Sequence, residues 1–150
     1  MQLNLNELLF GGQTPGAVAT DAGMTVLRVA AGLMMAFGHG FDKLPPSAGF
    51  VGMVEGLGFH SPELFAWMAG LAEGIGGLLL AAGLLTRASA AAILGAMLVA
   101  AFVAHGGDPL FATGGPSKEL ALLYAAVMVP FLFAGSGRYG VDAMFRRQEV

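Results

Sequence analysis

The sequence predicts an all-α integral membrane protein: a bundle of four transmembrane helices with a short interfacial helix between the first two spans. Three observations carry this. The chain is 56% hydrophobic and 11% charged, against roughly 25% charged in ordinary globular proteins, and its mean hydropathy is +0.73. Its apolar residues fall into runs close to the ~20 residues that cross a ~30 Å hydrocarbon core. It also carries 24 glycines, the small residues that let membrane helices approach closely.

Composition also excludes several functions. With no cysteine, the chain has no disulfide, thiolate metal site, iron–sulfur ligand or thiol redox chemistry of its own. A net charge of −3 without a basic tract leaves no electrostatic footprint for a nucleic acid.

Residues 1–21 hold no Lys or Arg and no signal-peptide core. They read as a surface arm, with Leu8, Leu9 and Phe10 resting on the membrane. Asp21 is placed to cap a first span over 22–41, which Pro45-Pro46 stops. The stretch 42–62 is too polar and too rich in Pro and Gly to span. Within it, Phe50, Val51, Met53, Val54 and Leu57 form a short amphipathic turn along the interface. Pro62 sits at a tolerated first-turn position of the second span, 63–85. Thr86-Arg87 makes a tight corner. The third span covers 88–105, a Gly-Pro loop follows, and the fourth covers 118–134 with a kink expected at Pro130. Gly135-Ser136-Gly137 ends it. The spanning domain is thus 22–142 and a polar tail occupies 143–150.

Orientation follows from basic residues. Arg87, Arg138, Arg146 and Arg147 share one side, against Lys43 and Lys118 on the other. The excess places both termini in the cytoplasm.

The first span carries a distinctive face. At about 100° per residue, Arg28, Gly32, Met35, His39 and Asp42 fall within about 40° of one another. In the second span Ala66, Gly70, Gly74, Gly77 and Ala81 form a small-residue stripe that invites a neighbouring helix, with Glu73 at its border. A carboxylate at that depth costs at least a few kcal/mol unless it is paired, hydrated or protonated. Arg28 is a tempting partner, but depth counting separates the two by about 9 Å; snorkelling to the cytoplasmic headgroups is the other reading of Arg28.

His39, Lys43, His105 and Glu119 gather at the outer end. His39 and His105 could pair as metal or haem ligands, with Glu119 as a third group. Histidines at helix C-termini are equally explained by the helix dipole, and no metal, haem or iron–sulfur centre is expected. Trp67 and Tyr139 read as interface anchors. The expected site therefore places Glu73 and His39 in proton transfer, with Arg28, His39, Lys43, His105 and Glu119 around a bound cofactor.

Together these pieces resemble the DoxX family of small four-helix bacterial membrane proteins. The match rests on Arg28 followed by His39-Gly40 and Lys43-Leu44, and on the glycine-rich second helix with Glu73. It continues in the corner Gly83-Leu84-Leu85-Thr86-Arg87 and the exit Gly135-Ser136-Gly137-Arg138-Tyr139-Gly140-Val141-Asp142. The Lys-Glu-Leu-Ala-Leu-Leu-Tyr run containing Glu119 resembles the family's last-helix entry. Ser136 and Gly140 stand where relatives often carry Pro and Ser. The resemblance implies the bacterial inner membrane and a subunit of a redox complex, handling quinone or quinol or anchoring a partner oxidoreductase. A small-molecule transporter subunit and a structural assembly factor are the alternatives. Lipid, a redox partner protein and a second copy of the chain are the expected partners.

Overall fold

The computed structural model describes residues 18–146. Most of the expected surface arm, with Leu8, Leu9 and Phe10, lies outside the described residues, as do Arg147 and the end of the tail. No strand occurs among the described residues. Three helices are long and apolar enough to cross a membrane: α1 (Val18–Lys43), α3 (Pro62–Ala82) and α4 (Thr86–Ala104). A shorter apolar helix, α5 (Glu119–Ala134), follows. Two smaller helices complete the described residues, α2 (Ala48–Gly56) and α6 (Asp142–Arg146).

Local chemistry explains most of the boundaries. The Ser47 hydroxyl accepts from the Phe50 N–H at 3.2 Å and caps α2. Pro62 occupies the first turn of α3 with Glu63 beside it, where a missing N–H is harmless and a negative charge suits the dipole. Gly83 ends α3 in the left-handed region at φ 71°, which glycine reaches without a Cβ clash. Pro130 lies inside α5, which stays helical to Ala134.

Three helices contain a π-turn: Ala36–Gly40 in α1, Leu71–Ile75 in α3 and Ala100–Ala104 in α4. Each π-turn closes i→i+5 bonds and sets the following residues back by roughly one residue's rotation, about 100°. The expected face of α1 is therefore corrected. Arg28, Gly32 and Met35 are buried as the regular periodicity requires. Past the π-turn, Gly40 becomes buried, His39 moves to the edge and Asp42 faces out.

Successive long helices pack together: α1 on α3, α3 on α4, and α4 on α5. Met35, Leu80, Ile93, Met97, Met128 and Phe131 form the centre of the core. The α1–α3 seam is a backbone contact. A Cβ on Gly32 would lie 2.6 Å from the Gly77 carbonyl oxygen, and one on Gly77 would lie 2.7 Å from the Gly32 oxygen. Farther along, a Cβ on Gly40 would collide with the backbone of Glu73 and Gly74. The small-residue stripe of α3 is thus met by α1, as small-xxx-small surfaces in lipid are. The outside is apolar: Val26, Met34, Phe37, Phe102, Leu123 and Phe133 are 59–69% exposed. Such a surface suits hydrocarbon rather than water.

The α3–α4 corner is tied from both sides. Arg28 Nη1 donates to the Leu80 and Ala81 carbonyls at 2.7 and 2.6 Å. The Asp142 carboxylate accepts from the backbone N–H of Leu85 and Thr86 at 2.8 and 3.0 Å. Val141 and Asp142 N–H donate to the Ala82 and Gly83 carbonyls at 3.3 and 2.8 Å. The orphan carbonyls ending α3 and orphan donors opening α4 find partners in these bonds. Arg28 and Asp142 are 2% and 1% exposed, so neither spends its charge on lipid.

Candidate functional site

Glu73 and Lys43 meet where the π-turns of α1 and α3 face each other. Lys43 Nζ donates to Glu73 Oε2. The Glu73 side chain is 3% exposed and that of Lys43 29%. Two physical facts bring them together. Glu73 lies within its own π-turn, on the side of α3 that α1 covers. The π-turn in α1, tightened by the following 3₁₀ turn Phe41–Lys43, rotates Lys43 inward as it rotates Asp42 outward. A buried carboxylate needs a partner at this depth, and the lysine's long stem delivers one from the helix end.

This pair stands in the wall of a cavity of about 850 Å³ between α2, α3 and α4. Phe50, Met53 and Val54 of α2, Leu57 just past its end, and Phe65 and Met68 of α3 line one part. Ala88, Ala91, Ala92, Gly95 and Ala96 of α4 line another. Lys43 and Glu73 are the charged residues of this lining, and Ser89 adds a hydroxyl. Lys43 Nζ also sits 5.7 Å from the centre of the Phe50 ring, a cation–π distance that ties the pair to α2. The expected polar pocket at the outer face is therefore an apolar cavity with one ion pair in its side.

The other expected site residues are dispersed. Arg28 does not pair with Glu73: its Nη1 binds carbonyls of Leu80 and Ala81, seven to eight residues nearer the corner than Glu73, or about 11 Å along the helix. Nor does it snorkel to headgroups. His39 stands edge-on to Tyr124 of α5, ring centres 5.6 Å apart. His105 Nδ1 lies 2.7 Å from Asp108 Oδ2. Glu119 accepts from the Ala112 N–H at 2.8 Å and folds back on its own loop. None of His39, His105 and Glu119 lines the cavity, and no three of the described His, Asp and Glu side chains converge on a point where a metal would sit. His105 and Glu119 find local partners because each sits at a helix end, where the nearest turn offers one, whereas His39 meets a ring across the bundle.

Sequence reasoning missed the contribution of α2, whose apolar side forms the cavity wall, and the structural weight of Asp142. The signal for α2 was its four apolar residues at helical spacing. For Asp142, no local pattern reveals that an acid after the last long helix caps α4.

A family model described as DoxX matches residues 23–106. An uncharacterised protein from Haemophilus influenzae is 38% identical over 80 residues, covering 52% of this chain and 60% of that protein. The chain thus spans less than two thirds of that relative's length. No solved structure matches the chain.

Proposed function

The chain belongs to the DoxX family, and from that premise we propose that this membrane protein is a subunit of a redox complex that holds a quinone or quinol in the cavity beside Lys43 and Glu73. The observation that carries this reading is the cavity itself: apolar walls around one buried donor–acceptor pair. A flat, oxygen-bearing lipid fits that chemistry. Apolar lining takes the ring, Lys43 can donate to a carbonyl oxygen, and Glu73 can accept from a hydroxyl.

Bound there, a quinone supplies paired electron and proton transfer. The chain's own residues orient it, exclude water and hold a proton acceptor at Glu73, which is released for proton transfer when Lys43 turns to the ligand. With no cysteine in the chain, an iron–sulfur or thiol centre must come from a partner protein.

In this reading α1, α3, α4 and α5 all span the bacterial inner membrane, α5 by drawing on residues beyond its 16 helical ones. Helix α2 lies in the outer interface, and both termini are cytoplasmic. Arg87 at the α3–α4 corner and Arg138 after α5 support that orientation through the bias of basic residues toward the inside.

The test is to purify the protein in mild detergent, extract it with organic solvent and identify what co-purifies, alongside quinol-dependent electron transfer in native membranes. A co-purified quinone and activity lost in Glu73→Gln support the reading. Solute flux in liposomes without any redox partner would replace it with a transporter subunit. Neither activity, with Glu73→Gln lowering stability alone, would leave a structural anchor.

A further inference from the structure

The cavity has two unlike halves, and the ion pair divides them. Helices α3 and α4 form a hairpin about the corner at 83–85, so residues equally distant from the corner lie at one level. Glu73 is therefore level with Gly95, about halfway along both helices. Away from the corner the walls are Phe50, Met53, Phe59, Phe65 and Met68, aromatic rings and polarisable thioethers suited to a flat π-system. Toward the corner they become Ala92, Ala91, Ala88 and Leu79. From Gly95 to Ala88 this second half runs about 11 Å at 1.5 Å per residue.

Ala88, Ala91, Ala92 and Gly95 are exposed along this track, and a Cβ on Gly95 would meet nothing within 4 Å. The track is lined by small side chains and open on the side away from the core. The charge at the divide is also informative. Lys43 and Glu73 cancel, so the pair offers one donor and one acceptor without a net positive charge to hold a phosphate. A neutral head with oxygen atoms fits it better than a phospholipid.

Resting on the reading above, we infer that the cavity holds its ligand in one orientation. The ring lies in the aromatic half against Phe50 and Met68, and its oxygens face Lys43 and Glu73. The isoprenoid tail runs along Ala92 and Ala88 toward the corner and leaves sideways between α3 and α4 into the bilayer. Ala92 and Ala88 are then specificity-determining residues for the tail and not for the ring.

The experiment uses the full chain in detergent and two probes: a naphthoquinone without a tail and the same ring with an isoprenoid tail. Binding of each is measured to wild type, Ala92→Phe, Ala88→Leu and Met68→Trp. The expected result is that wild type prefers the tailed probe by about tenfold or more, because the tail buries additional apolar surface. Ala92→Phe removes most of that preference and leaves the ring-only probe unchanged, while Met68→Trp weakens both. Because residue 92 faces the open track, Ala92→Phe should keep the wild-type melting temperature; Ala88→Leu gives the same readout with less bulk.

Equal loss of both probes in Ala92→Phe, or no change in either, overturns the orientation while leaving quinone binding standing. Displacement of the tailed probe by phosphatidylglycerol at matched concentration overturns it in favour of a phospholipid groove. If neither probe binds wild type, the quinone reading fails and this inference falls with it.

Discussion

Lys43 and Glu73 form an ion pair across two facing π-turns, at the edge of a seam where two helices touch backbone to backbone. The pair is asymmetric. Glu73 is enclosed, whereas the lysine stem reaches in from the helix end and retains partial exposure. Removing one partner is therefore not equivalent to removing the other.

Lys43→Met leaves a buried carboxylate without its cation. Breaking a buried pair from one side costs about 3–5 kcal/mol, and this substitution falls toward the lower end because Lys43 is partly exposed. Glu73→Gln frees Lys43 to swing outward and should cost less than about half as much. The double substitution Lys43→Met with Glu73→Leu should recover most of the loss. Thermal unfolding of the four proteins in one detergent checks the order.

Glu73→Leu alone should perturb function more than folding. It removes the acceptor beside the cavity but fills its place with an apolar side chain of similar size, and Lys43 can still reach the helix end. Yield and melting temperature near wild type, with quinol-linked activity lost, are the expected outcome. A protein that does not assemble at all would make Glu73 a structural residue.

The seam and the track predict opposite tolerance to one methyl group. Gly77→Ala puts a Cβ 2.7 Å from the Gly32 carbonyl oxygen and 2.9 Å from the Ala36 nitrogen, backbone atoms that cannot step aside. Overpacking of that kind costs about 1–3 kcal/mol. Gly95→Ala meets nothing within 4 Å and should stay within about 0.5 kcal/mol of wild type. Parallel melting curves decide it.

Asp142→Ala strips the cap from α4, leaving the Leu85 and Thr86 N–H groups without acceptors. The expected loss is about 2 kcal/mol, the upper end for a capping residue. Asp142→Asn keeps one acceptor oxygen of two and should lose about half of that. Hydrogen exchange at residues 85 and 86 should rise in both variants, more in the alanine one. Unchanged protection there would show that the cap contributes little.

Arg28→Leu should destabilise the same corner by about 1–3 kcal/mol, because the Ala81 carbonyl loses its side-chain donor while the Leu80 carbonyl keeps the Gly83 N–H at 3.0 Å. Arg28→Lys should rescue part of it, since an ammonium can still donate but lacks the broad guanidinium fork. If the lysine variant is no better than the leucine one, packing of the long stem outweighs the hydrogen bonds.

Much of the fold was legible because lipid leaves few choices. Runs of apolar residues, prolines at helix entries and Gly83 at an exit mark the helices, and the structural boundaries of α3, α4 and α5 lie within a few residues of the sequence-based ones. The stripe from Gly70 to Ala81 correctly pointed to close packing. The site was less legible. A constant 100° per residue puts Asp42 on the inner face and swings Lys43 to its side, and the π-turn at 36–40 reverses that. Nothing in Ala-Phe-Gly-His-Gly announces an i→i+5 turn, whose stability comes from the opposing helix and not from local preference. The histidines misled for a related reason. Position at one end of a bundle is a shared level, not a shared contact, and His39, His105 and Glu119 each settled on a different partner.

The extra residue held in the α1 π-turn is itself a control on the ion pair. Segments on either side of the turn are indexed to different helical phases, so the half bearing Arg28 and the half bearing Lys43 both face α3 although an unbroken helix would aim them apart. Straightening the turn into regular helix with every residue kept would swing Lys43 away from Glu73 by about 100°, whereas deleting one residue between 36 and 40 would remove the turn and leave the two halves in their present register. In this molecule the charge contact thus depends on where one surplus residue is stored, with composition, hydropathy and every motif residue unchanged.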